Sequence, residues 1–116
     1  MAAESPMDTR ASRRVTVKCV AVRWVSDEPQ PGWVEYRLTD ADGMTWSFFD
    51  KPIHGGWEAM TAIADYPLAS SFSCEILRTE TDAQGDPVIV ISTLQPYGLE
   101  SSEGRSEFRV RPSQVD

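Results

Sequence analysis

A chain of 116 residues with a formal net charge of −7 is long enough to bury a core as one domain, without disulfides or metals to hold it together. The acidic balance disfavours polyanionic partners and anionic membrane surfaces and favours basic partners, and no apolar run approaches the ~18 residues of a membrane span. The first dozen residues lack the apolar centre of a secretion signal, so the expected compartment is the cytoplasm, with no membrane contact.

Met1 to Ser12 is small, polar and charged without periodicity, which predicts a disordered arm over residues 1–13 and a single β-domain over 14–112. The charge is uneven: residues 1–23 carry five basic and two acidic side chains, and residues 24–116 carry six and sixteen. Alternation from Arg14 to about Trp24 predicts a long strand with Val15, Val17 and Cys19 turned inward. A loop follows from Ser26 to Gly32, broken by Pro29 and Pro31.

Two hairpins are predicted next. Trp33 to Leu38 and Met44 to Phe49 flank Thr39-Asp40-Ala41-Asp42-Gly43, and Phe72 to Leu77 and Val88 to Leu94 flank Thr81-Asp82-Ala83-Gln84-Gly85. In each turn the Asp bonds backbone groups two residues on, and the Gly supplies a positive φ. Five matching residues are readily reached twice by selection for one geometry, so they do not require a duplicated hairpin. The interior parity gathers Val34, Tyr36 and Leu38 in one strand with Met44, Trp46 and Phe48 in the next, while Ile89 to Ile91 is apolar on both parities and should be covered on both faces. Between the hairpins lie an irregular crossing from Asp50 to Gly56 and helical spacing at Trp57, Met60, Ile63 and Ala64, which allows one short helix over Trp57 to Tyr66 stopped by Pro67. A polar loop from Gln95 to Gly104 leads to a last strand from Arg105 to Arg111, with Phe108 and Val110 inward.

The order of these elements predicts an all-β fold: a small six-stranded antiparallel barrel with OB-like element order. A sandwich or split barrel is the competing architecture. OB-like barrels bind single-stranded nucleic acid on aromatic platforms in basic grooves. Here the outward parity offers Trp33, Arg37 and Phe49, yet the flanking loops carry Asp27, Glu28, Asp82 and Asp86. Acids on the rim oppose counterion release, so nucleic acid ranks last among the partners. Trp24 and Trp33 stand at the two ends of the proline-bearing loop and face outward unless a bulge flips one strand, giving an aromatic surface patch suited to a protein partner.

The motifs of catalysis and metal binding fail one by one. His54, in His54-Gly55-Gly56, has no Gly-x-Ser-x-Gly elbow to serve. Asp40-x-Asp42-Gly43 opens like a calcium loop, but Thr45 and Lys51 stand where Gly and Glu are needed. Cys19 and Cys74 alternate with apolar neighbours and read as buried, reduced thiols; neither zinc spacing nor a phosphate loop occurs, so no metal and no cofactor is expected. Tyr97, Glu100 and Glu103 in the last polar loop are the remaining site candidates, placed around a pocket mouth.

The run Leu38-Thr39-Asp40-Ala41-Asp42-Gly43, then Phe48-Phe49-Asp50-Lys51, Cys74-Glu75-Ile76-Leu77, and Ile91-Ser92-Thr93 leading to Pro96-Tyr97-Gly98-Leu99-Glu100-Ser101 with Glu103-Gly104 resembles a group of small bacterial all-β proteins of unassigned function. The resemblance spans Val34 to Val110 and implies a bacterial cytoplasmic origin and a stand-alone domain, with no activity attached. The expectation from the sequence is a non-enzymatic protein-interaction or binding module. A small-molecule or hydrolytic pocket at the barrel mouth is second, and single-stranded nucleic-acid binding third.

Overall fold

The computed structural model describes residues 13–52 and 61–116. The predicted arm at 1–12, the His54-Gly55-Gly56 crossing and the start of the predicted helix at 57–60 lie outside the described residues. Among the described residues there are six strands: β1 Arg14–Ser26, β2 Trp33–Thr39, β3 Thr45–Asp50, β4 Leu68–Thr81, β5 Pro87–Ser92 and β6 Glu107–Val110. They form one antiparallel sheet in the order β3-β2-β1-β4-β5-β6, curled into a half-barrel, so the chain is all-β as its alternation implies. No helix among the described residues is long and apolar enough to cross a membrane.

The long β1 joins the two hairpins. Its second half pairs with β2, from Val20 opposite Arg37 to Ser26 opposite Trp33, and its first half pairs with β4, from Arg14 opposite Glu75 to Ala21 opposite Leu68. Register shifts between Ala21 and Arg23, Trp24 and Ser26, and Ile76 and Arg78 insert extra residues into one strand of a pair. Such bulges bend and twist a strand, which is what curls the sheet.

The concave side is filled by side chains from every strand. Val17, Cys19, Ala21, Val34, Tyr36, Leu38, Phe48, Phe72, Cys74, Ile91, Phe108 and Val110 are buried together. Phe48 stands edge-on to Phe72 and Phe108 with centroids 4.8 and 5.5 Å apart, and Tyr36 and Trp46 extend the cluster to Phe72 and Phe108. Edge-to-face rings of this kind add about 1 kcal/mol per pair beyond the area they bury. The Tyr36 hydroxyl satisfies itself by donating to the Lys51 carbonyl at 2.7 Å. Both thiols are free and buried, and burial pushes each up to about 12. β1 and β4 do pair, but Cys74 stands opposite Val15 and Cys19 opposite Ser70, so the two cysteines are offset along the ladder.

The two Asp-x-Gly turns match bond for bond. Asp40 Oδ1 accepts the backbone N–H of Asp42 and of Met44, both at 2.9 Å, and Asp82 Oδ1 accepts those of Gln84 and Asp86, also at 2.9 Å. Gly43 and Gly85 sit at φ 84° and 86°, the left-handed geometry that glycine adopts without strain. The remaining Asp oxygens differ: Asp40 Oδ2 accepts the Trp46 indole N–H at 2.9 Å, whereas Asp82 Oδ2 meets Arg111 Nη1 at 2.8 Å.

The ends of the sheet are capped by neighbouring chain. The Ala41 N–H donates to the Arg109 carbonyl, the Ser102 N–H to the Ser47 carbonyl and Arg105 Nε to the Glu107 carbonyl. Occupied edge carbonyls are poor templates for pairing with another sheet. After β6, a 3-10 turn at Pro112–Gln114 carries the chain back to β1, where Thr16 and Asp116 exchange both backbone hydrogen bonds at 3.0 and 2.9 Å. The residues after β6 thus pack back onto β1.

Two further expectations are corrected. Met44 is 55% exposed rather than inward, because the Asp40 carboxylate holds its N–H inside the turn and β3 begins only at Thr45. Over 61–66 the chain makes a turn, with the Ala64 N–H on the Thr61 carbonyl, and not the predicted helix.

Candidate functional site: the outer face of the first three strands

Side chains opposite one another in an antiparallel pair share a face. Arg23 on β1, Glu35 on β2 and Phe49 on β3 therefore form one row on the outer surface, and Val20, Arg37 and Ser47 form the next. Glu35 is only 3% exposed, an unusual state for an acid on the outside of a sheet. Its carboxylate is saturated: Oε1 accepts Arg23 Nε at 2.6 Å, and Oε2 accepts both Arg37 Nε and the Ser47 hydroxyl at 3.0 Å. Burial opposes the charged form of Glu35, but the bonds from Arg23, Arg37 and Ser47 outweigh it and hold the carboxyl below its ordinary range.

The arginines are not consumed by this contact. Each binds Glu35 through Nε, and 57% of the Arg23 side chain and 51% of the Arg37 side chain remain exposed. A guanidinium carries five donors, and among the described residues the Nη end of each planar group is left for another acceptor. Phe49, 42% exposed, and Val20, 40% exposed, stand at opposite corners of the group. Lys18 lies opposite Ser71 further along the outer face of β1. The cluster is a rigidly held cationic pair with apolar corners.

Of the residues singled out from sequence, the structure brings Trp33, Arg37 and Phe49 to this face, Trp33 being partly buried beside Ser26. Trp24 is not among them. The extra residue between Ala21 and Arg23 turns it inward, opposite Val34, where it packs against the core and over Gly32, and its indole N–H donates to Asp27 Oδ1 at 2.9 Å. Tyr97, Glu100 and Glu103 stand on the loop between β5 and β6. Tyr97 is 72% exposed, both acids are exposed, and Glu103 takes the Ser102 hydroxyl at 3.2 Å. This loop meets β3 where the Ser102 N–H donates to the Ser47 carbonyl.

Sequence reasoning missed Glu35 and Arg23. A usable signal existed: Glu35 shares parity with Trp33 and Arg37 in a strand whose other parity is apolar, an acid beside an Arg two residues away. Near the same loop Arg105 stacks 4.7 Å above the Trp46 ring and 5.5 Å from that of Phe108.

No family model matches the chain, and neither does any curated protein or solved structure.

Proposed function

We propose that this chain is a non-enzymatic protein-interaction module, acting in the bacterial cytoplasm, that meets its partner with the outer face of β1, β2 and β3. The observation that carries this reading is the burial of Glu35 on that face with two arginines fixed to it and still more than half exposed. An internal ion pair contributes little net stability compared with well-packed apolar residues, so orientation of the arginines is what such an arrangement adds. Arginine and aromatic side chains are the residue types that dominate the energetics of protein interfaces, more so when their rotamers are already ordered before binding. The aromatic filling of the concave side also supports a surface role over a pocket at the barrel mouth.

The test uses two positions of nearly equal exposure, Phe49 at 42% and Leu77 at 40%. A photoreactive phenylalanine analogue placed at Phe49 in the native cells should give a discrete protein adduct, and the same analogue at Leu77 on β4 should not. Equal adducts from the two positions, no adduct from Phe49, or an adduct to nucleic acid would each overturn the proposal.

A further inference from the structure

The partner's chemistry follows from the same cluster, and the inference rests on the interaction face proposed above. We infer that Arg23 and Arg37 receive side-chain carboxylates of an extended acidic segment, whose apolar side chains rest on Phe49 and Val20.

The charge layout is the first argument. Glu35 neutralises one of the two arginines, so the cluster keeps a positive charge, and Lys18 on the same face adds another. Some acids of the strands and turns are held by their own partners. Glu80 is bound by Arg78 and Arg109, Asp82 by Arg111, and Asp40 by two backbone N–H groups and the Trp46 indole. The remaining negative charge is screened over ~8 Å at physiological ionic strength, whereas the guanidinium groups act on a ligand in contact.

Geometry supplies the second argument. A planar guanidinium fixed through Nε offers its two Nη groups as a fork, which matches the two oxygens of a carboxylate better than a point cation does. Arg23 and Arg37 stand in adjacent rows of neighbouring strands, one facing Glu35 across the β1–β2 pair and the other facing Val20. Phe49 lies beyond Glu35 in the row of Arg23, and Val20 lies beside Arg37 in the next row. Such an alternation of fork and apolar surface fits a chain that alternates carboxylate and apolar side chains. It fits a phosphodiester strand less well, since there every repeat is charged and each base wants an open ring face, while Trp33 is partly buried beside Ser26.

A fluorescent peptide alternating glutamate and leucine, titrated against the full chain, tests this directly. Saturable binding is expected, with affinity falling about tenfold, equivalent to about 1.4 kcal/mol, when Arg37→Lys keeps the charge and removes the fork. The Lys side chain can still pair with Glu35, so this variant keeps the fold, and its unfolding midpoint confirms that independently. A glutamine-for-glutamate version of the peptide should not bind. Equal binding of the glutamine peptide, indifference to Arg37→Lys, or binding of oligothymidylate in place of the acidic peptide would each overturn the inference. Absence of peptide binding alongside a positive Phe49 adduct would overturn the partner chemistry alone. Absence of both would remove the interaction face as well.

Discussion

Two groups of one glutamate between two arginines stand on the outer surface of this sheet. Around Glu35 the acid is 3% exposed and both arginines reach it with Nε, at 2.6 and 3.0 Å. Around Glu80 the acid's side chain is 31% exposed, Arg78 reaches it with Nε at 2.8 Å, and Arg109 reaches it with Nη1 at 3.5 Å. The register also places Val90 between Arg78 and Arg109, and Val88 opposite Glu80, with both valines buried outside the main core. The aliphatic stems of the second group thus shelter the valines and keep their charged ends in water, which is why β5 is buried on both parities. Near Glu80 the arginines stand where the valines need cover; near Glu35 they stand where the buried acid holds them.

Removing the arginines should separate the two groups most widely. The pair Arg23→Ala with Arg37→Ala leaves a buried carboxylate with Ser47 as its remaining side-chain partner and should cost about 3 kcal/mol in urea unfolding at neutral pH. Arg78→Ala with Arg109→Ala exposes valine surface and breaks screened pairs, and should cost about 1 kcal/mol. Equal losses would erase the distinction.

Acid sharpens it further. A carboxyl whose folded value is depressed adds stability that is complete above its unfolded value and is lost as pH falls through the folded one. Glu35, held below its ordinary 4.5, should thus stabilise the domain fully above that pH and progressively less below it. Asp82 is also held low, first by the Asp86 N–H and then by Arg111, and contributes a second loss below its ordinary 3.8. Glu35→Gln should make the acid limb of a stability-versus-pH series shallower from about pH 4.5 downward and leave the contribution of Asp82. An unchanged limb would place the charge of Glu35 outside the folding equilibrium.

The smallest effect is salt. At about 1 M, where charges are screened within ~3 Å, the interaction between Arg78 and Glu80 in a double-mutant cycle should shrink by a few tenths of a kcal/mol, while that between Arg37 and Glu35 should hold. A like decline in both cycles would mean that water reaches Glu35 as readily as Glu80.

The strands were legible because alternation over Val34, Tyr36 and Leu38, and over Phe108 and Val110, records burial directly. The turns were legible because Asp and Gly at that spacing admit few backbone geometries. The inward turn of Trp24 was not, since it depends on one inserted residue that leaves no mark in composition. Glu35 was hidden for a different reason. Its burial is the work of Arg23 and Ser47, each twelve positions away and on a different strand, so no local window contains the cause. The outer-face candidates Trp33, Arg37 and Phe49 were visible as residues, but the acid that organises them was not.

The pairing of Thr16 with Asp116 sets a condition on how the molecule comes into being. β1 precedes all its partners in the chain, and its backbone groups are matched only once β2, β4 and the residues beyond Gln114 have been made. Joining segments so distant in the chain is slow, in the range of milliseconds to seconds for β-rich domains. Until then a thirteen-residue strand with buried-type side chains stands uncovered. β1 is therefore exposed to mispairing until the segment beyond Gln114 has reached it.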